Sequence, residues 1–118
     1  MQTKIVVGDF CGGDKGEFYE GLVREMEGLD VSVLVNNVGW MMDVGLFCGH
    51  TYEDIGKEMT INLLPIALLT HKLLPRMLAR PSRSAIINLA SSAIYANLGG
   101  SADYCSTKAY DDIFSRSL

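Results

Sequence analysis

Three short runs of aliphatic, largely β-branched residues constrain this chain more than anything else in it: Ile5, Val6 and Val7; Val31, Val33, Leu34 and Val35; and the stretch 85–90. They are too apolar to alternate between core and solvent. The second run therefore reads as a parallel strand covered on both faces. Between the runs, apolar residues recur every three or four positions, the period of a helix with one buried side. Strand, helix, strand, helix, strand, helix is the order of an α/β fold with a parallel sheet and right-handed crossovers. In such sheets ligands bind beyond the carboxyl ends of the strands, and Asp9, Asn36, Asn37 and Ser91 all stand at those ends.

Within this frame the expected elements are as follows. Residues 5–7 form a buried strand that leaves through Gly8-Asp9 and the turn cluster Gly12-Gly13-Asp14. Phe18, Leu22, Met26 and Leu29 mark a helix over 17–29, with Gly28 helping to stop it. Residues 40–50 show no period and read as a loop. Thr51 and Asp54 form a capping box that opens a long apolar helix reaching about residue 79. Pro65 and Pro75 should bend that helix or break it into pieces. The third strand, 85–90, precedes a loop over 91–103, and a last helix starts near Ala102 and is still running at Leu118.

The chain has 118 residues, enough for about one small domain, with a net charge of −4. No basic stripe is available to neutralise phosphates, which argues against a nucleic-acid partner. Cys11, Cys48 and Cys105 are odd in number and widely spaced, and read as incidental thiols in a reducing compartment rather than a metal site. The N-terminal apolar run is too short for a signal peptide and no stretch could span a bilayer, so the chain itself is expected to be soluble.

The chemistry is concentrated near the C-terminus. Tyr104 and Lys108, four apart on a helix, share a face. A tyrosine is a poor acid near neutral pH, with an ordinary pKa of about 10. A fixed cation beside it stabilises the phenolate and fits it to exchange a proton with an alcohol or carbonyl. Ser91, closing the third strand, is placed to hydrogen-bond the same oxygen, with Ser92 as the alternative. Alone, the spacing favours an exposed pair on an amphipathic helix. Asn36-Asn37 alone reads as a turn, His50 and His71 as isolated histidines, Met41-Met42 as filling a gap in a core or substrate pocket, and Trp40 as either a packing residue or the lining of a pocket for an apolar substrate.

Taken together, Asn36-Asn37-Val38-Gly39 after a strand, Asn62 in the next helix, Ser91 after the next strand and Tyr104-Cys105-Ser106-Thr107-Lys108 resemble the short-chain dehydrogenases/reductases. The flanks VLVNNVG, LLPRML, AIINLASSA and AYDDIFSRSL are more narrowly similar to the 17-beta-hydroxysteroid dehydrogenases related to very-long-chain 3-oxoacyl-CoA reductases. The resemblance implies a partial Rossmann-like doubly wound parallel sheet, with residues 1–118 as the central part of one domain. The family's glycine-rich N-terminal unit and C-terminal substrate region have no counterpart here. It further implies Tyr104 as general acid, Lys108 as the cation that tunes the phenol and bonds the nicotinamide ribose, Ser91 holding the carbonyl oxygen and Asn62 anchoring a proton-relaying water. Asn36, Asn37 and Gly39 would flank the cofactor and Asp9 would touch its adenine. The implied cofactor is NADP(H), with NAD(H) the alternative. The implied substrate is a small apolar ketone or alcohol, fatty acyl or steroid, and the implied assembly is a homodimer through the helix containing residues 59–78 and the last helix. Endoplasmic reticulum membrane is the implied location of the full-length protein, through segments not in this chain, with cytoplasm the alternative.

The family's strand order is 3-2-1-4-5-6-7, and the three runs here correspond to strands 3, 4 and 5. Strands 3 and 4 then lie three places apart, roughly 14 Å at about 4.8 Å per strand, so residues 5–7 are left to float free, mispair or expose an apolar edge. Two functional readings follow: an oxidoreductase whose full-length form reduces a ketone, or a catalytically silent α/β piece that acts as a dimerisation or interaction module.

Overall fold

The computed structural model describes residues 2–12, 15–96 and 98–118. Gly13 and Asp14 of the expected turn cluster lie outside the described residues. The elements are α1 (Lys15–Arg24), β1 (Val33–Asn36), a one-turn 3₁₀ helix (Phe47–Gly49), α2 (Tyr52–Leu78), β2 (Ala85–Asn88), α3 (Ala93–Ala96) and α4 (Ala102–Ser117). β1 and β2 pair in parallel, with Val33 opposite Ala85 and Asn36 opposite Asn88. The α/β class and parallel sheet are those expected.

Side chains alternate along a strand, so Leu34, Asn36, Ile86 and Asn88 share one face of the sheet. On that face Leu34 packs with Leu73 and Met77 of α2, and Val23, Met26 and Ile86 close around them. The other face is bare: Val33, Val35 and Ile87 are each about half exposed. The sheet is thus covered on one side, not two, because the described residues supply helices to one face only.

The run at 5–7 is extended but belongs to no strand, with Ile5 88% and Val7 93% exposed. An aliphatic run becomes a strand only when a neighbouring edge offers a ladder of hydrogen bonds, and the two-stranded sheet consists of β1 and β2 alone among the described residues. The segment rests instead on α1, where a Cβ on Gly8 would come within 2.9 Å of the Phe18 ring. That helix begins two residues earlier than expected and ends at Arg24. The following turns close at Gly28, whose φ of +75° suits glycine. Its buried residue is Tyr19, in edge contact with Phe10 and Phe18, whereas Leu29 is exposed. Burial pushes the Tyr19 phenol up to about 12.

The two prolines do not divide α2. The helix runs unbroken for 27 residues. Each proline forfeits one backbone hydrogen bond, but Pro65 is buried beside Ile66 and Leu69 along the face that carries the core. Packing of that face outweighs the local loss. At its start the Thr51 hydroxyl oxygen accepts from the Asp54 N–H at 3.1 Å, while the hydroxyl donates to the Asp54 carboxylate at 2.7 Å. The reciprocal bond thus goes to the threonine side chain rather than to its backbone N–H.

The long connections are pinned to each other. Gly45 donates its N–H to the Gly100 carbonyl at 3.1 Å. Gly100 has a φ of +77°, and a Cβ there would stand 2.9 Å from Val44 and 3.0 Å from the Gly45 carbonyl. Neither the backbone angle nor the space admits a side chain.

Leu73 is 1% exposed at the centre of the core. Leu73→Ala is expected to lower stability by about 2–5 kcal/mol, read from the midpoint of urea denaturation followed by circular dichroism.

Candidate functional site

Tyr104 sits in the first turn of α4 and Lys108 one turn later. Both line a groove with Asn37, Gly39, Trp40 and Leu89, at the carboxyl ends of β1 and β2. The Lys108 ammonium is fixed: it donates to the Leu89 carbonyl at 2.7 Å and to the Asp111 carboxylate at 2.8 Å, with both side chains almost fully buried. Gly39 forms the opposite wall. A Cβ placed on it would lie 3.5 Å from Lys108 Nζ and 3.7 Å from Asn62 Oδ1, so the glycine leaves open a cradle bounded by an ammonium and an amide oxygen.

Asn62, 2% exposed on α2, works as a brace. Its Oδ1 accepts from the Trp40 N–H at 2.7 Å, and its Nδ2 donates to the Trp40 carbonyl at 2.8 Å and to Thr107 Oγ1 at 3.0 Å. Both amide hydrogens are therefore taken by the protein. Thr107 in turn donates to the Tyr104 carbonyl at 2.9 Å, which ties the brace to the turn that carries the phenol.

The other residues singled out by sequence divide between places. Asn37 and Gly39 reach the groove. Asn36 points to the opposite side, where it donates to Asn88 Oδ1 at 2.8 Å and Thr70 Oγ1 at 3.3 Å. Ser91 is half-buried, follows the lining residue Ala90, and accepts from the Ala93 N–H at 3.2 Å; it is not among the groove's lining residues. Asp9 lies in a separate depression beside Phe18, where its carboxylate accepts from the Cys11 N–H at 2.9 Å. Among the described residues no group of three metal-ligating side chains comes together.

Behind Tyr104 lies a second space, a cavity of about 130 Å³ bounded by Met42, Phe47, His50, Glu58, Asp103 and Tyr104 among others. Glu58 is fully buried; its Oε2 accepts from the Met42 N–H at 2.8 Å, and its Oε1 has no partner among the described residues. Asp103 Oδ2 is likewise buried and unpartnered. Burial pushes the Glu58 carboxyl above the ordinary range, the Met42 N–H opposes this, Asp103 adds to it and His50 opposes it. Burial also pushes Asp111 up, against the pull of Lys108.

Sequence reasoning missed Glu58 and Asp111. Spacing carried the signal in both cases: Glu58 is four residues before Asn62 and Asp111 three after Lys108, so each shares a helix face with a residue already singled out.

A carboxyl whose folded-state pKa is raised holds its proton more tightly in the folded state than in the unfolded one. Stability then falls as pH rises from the ordinary carboxylate range through the raised value. Glu58→Gln removes part of that decline and Asp111 retains the rest. Urea denaturation between about pH 4 and pH 8 is expected to give a flatter stability profile for the variant; parallel profiles would contradict the assignment.

Comparison with known proteins bears on the family and the fold. A model of the short chain dehydrogenase family matches residues 13–118. The very-long-chain 3-oxoacyl-CoA reductase of Anas platyrhynchos is 34% identical over the whole chain, and the human inactive hydroxysteroid dehydrogenase-like protein 1 is 31% identical, again over the whole chain. The chain spans 38% and 35% of the length of these two relatives. Among solved structures, a bulky-bulky ketone specific alcohol dehydrogenase from Comamonas testosteroni matches with a TM-score of 0.81 at 22% identity, over 96% of this chain and 43% of its own. A short-chain dehydrogenase from Sphingobium yanoikuyae in complex with NADPH matches with a TM-score of 0.78 at 27% identity, over 93% and 41%. With the matched region covering nearly all of its length, the chain belongs to the short chain dehydrogenase family.

Proposed function

We propose that the full-length protein is an NADP(H)-dependent oxidoreductase that interconverts a ketone and an alcohol on an apolar substrate, a 3-oxoacyl-CoA or a steroid, with NAD(H) as the alternative cofactor. The observation that carries this reading is the shared groove of Tyr104 and Lys108 at the carboxyl ends of two parallel strands. Relatives named for 3-oxoacyl-CoA reduction and a fold neighbour in complex with NADPH support the substrate class and the cofactor.

The residues present fit such a cofactor. The cradle at Gly39 faces a buried ammonium, as a ribose with adjacent hydroxyls would need. Asn37 and Gly39 would flank the cofactor and Lys108 would donate to the ribose. When bound, the dinucleotide supplies the hydride. Tyr104 gives its phenolic proton to the carbonyl oxygen during reduction and takes it back during oxidation, while Lys108 stabilises the phenolate left behind. Ser91 would hold the carbonyl oxygen, which requires its hydroxyl to turn from the Ala93 N–H toward the groove. Asn62 acts by holding Trp40 and the first turn of α4, and any water it anchors would use the free lone pair of Oδ1. Asp9, in its own depression, is assigned to the adenine end, and Asn36 to the strand-to-helix brace that keeps Asn37 in place.

In this reading residues 1–118 are the central part of one domain. The exposed run at 5–7 and the uncovered sheet face support it, since both carry apolar surface that a complete doubly wound sheet buries. Homodimerisation through α2 and α4 is part of the proposal, supported by the half-buried outer residues Leu63, Leu64 and Leu68 of α2 and the exposed Ile113 of α4. That same apolar surface favours the second reading, a silent module that associates through these helices. None of the described helices is long and apolar enough to cross a membrane; association with the endoplasmic reticulum would use other segments.

Tyr104→Phe in the full-length protein is expected to lower carbonyl reduction with NADPH and a 3-oxoacyl-CoA by roughly 10²–10⁴-fold, with binding of NADPH retained. Unchanged turnover overturns the assignment. The 118-residue chain alone is expected to show no saturable fluorescence change on titration with NADPH, and micromolar affinity would contradict the central-part reading.

A further inference from the structure

The Lys108–Asp111 contact is more than a local salt bridge. An ammonium has three N–H donors, and two of those on Lys108 are committed inside the protein, to Leu89 and Asp111. Asp111 is 4% exposed, and its second oxygen has no partner among the described residues. Packing does not explain an acid here, because an apolar side chain would fill the same space without desolvating a charge. What the carboxylate does make is one contact, with the ammonium that shares the groove with Tyr104.

We propose that Asp111 is a positioning residue for Lys108, clamping its ammonium against the Leu89 carbonyl and offsetting part of the positive charge that it presents to Tyr104 and to a bound ribose. The proposal rests on the oxidoreductase reading of the groove. The groups that face the ammonium are Tyr104 and Asp111 from α4, Asn62 from α2, the Gly39 backbone after β1 and the Leu89 carbonyl after β2. Only Tyr104 and Asp111 among these titrate near it. The phenol therefore works beside an ion pair instead of a lone cation. A negative charge at Asp111 opposes proton loss from its neighbours, and the two committed donors limit the directions left to the third N–H of Lys108.

The experiment uses the full-length protein with Asp111→Asn, which keeps an oxygen acceptor for the ammonium and removes the charge. Asp111→Leu removes both. Removing a negative charge makes every neighbouring group lose its proton at lower pH. The pH profile of kcat/KM for carbonyl reduction is expected to move toward acid by about one pH unit in Asp111→Asn. A second readout needs no turnover: acetylation of Lys108 by acetic anhydride, followed by peptide mass mapping, is expected to run about tenfold faster in the variant. Lys108 is nearly buried, so a loss of stability would also speed its acetylation; Leu73→Ala serves as the destabilised control, expected to leave the pH profile in place, and a rise in Asp111→Asn no larger than that control's overturns the proposal. An unmoved acetylation rate in both variants overturns the proposal, whether or not the enzyme turns over. Wild-type protein without carbonyl reduction at any pH, combined with faster acetylation in the variants, sinks the oxidoreductase reading and leaves the role of Asp111 standing.

Discussion

One buried amide holds the groove together. Asn62 grips both backbone polar groups of Trp40 and donates to Thr107, so a single side chain on α2 joins the segment after β1 to the first turns of α4. Without it, Trp40 N–H and C=O would be stranded near the core, at a cost of about 1–3 kcal/mol for each group left unsatisfied. The segment has no secondary structure of its own to absorb that loss. The distance between Gly39 and Lys108, and with it the width of the cradle, follows from this brace.

A second polar chain fixes the sheet to the helices below the groove. Asn36 donates to Thr70 and to Asn88, Asn88 donates to Ser115, and Ser115 donates to the Asp111 carbonyl at 2.6 Å. The chain links α2, β1, β2 and α4 at the level where the strands end. A two-stranded sheet is marginal by itself, and here its register is held from outside by side chains. The Arg80 guanidinium adds a tie at the far end, pairing with Asp30 and bonding the Arg83 carbonyl, so the entries to β1 and β2 are set together.

The parts of this arrangement legible in the sequence are those that one period decides. Aliphatic runs gave β1 and β2, and the spacing of Tyr104 and Lys108 put both in one groove. Strand alternation also separates Asn36 from Asn37, because consecutive strand residues face opposite ways; reading the pair as a turn hid this. The run at 5–7 looked no different from the other two in composition, but the strand order implied by the family resemblance left it without a neighbour, and among the described residues it pairs with neither strand. Pro65 and Pro75 misled in the opposite direction, since a local rule about hydrogen bonds was overruled by the packing of α2. Asp111 and Asp112 are neighbours in different surroundings: Asp112 pairs with exposed Arg116, whereas Asp111 is turned inward by the helical step of 100° per residue.

Three acids stand near the one ammonium beside Tyr104: Glu58 and Asp103 line the cavity behind the groove, and Asp111 bonds Lys108, which lines the groove itself. Were all three carboxyls ionised, the phenol would stand in a net negative field that opposes its own ionisation. Burial pushes the Glu58 carboxyl up, with the Met42 N–H opposing it. Asp111 keeps a charge-stabilising partner in Lys108, against the desolvation that pushes its carboxyl the other way. The acid against which the ammonium is set is therefore Asp111, at hydrogen-bond distance and out of reach of solvent screening. An exposed pair of the same residues would be worth little and would respond to salt. Burial turns this pair into a fixed element of the field in the groove that Tyr104 lines.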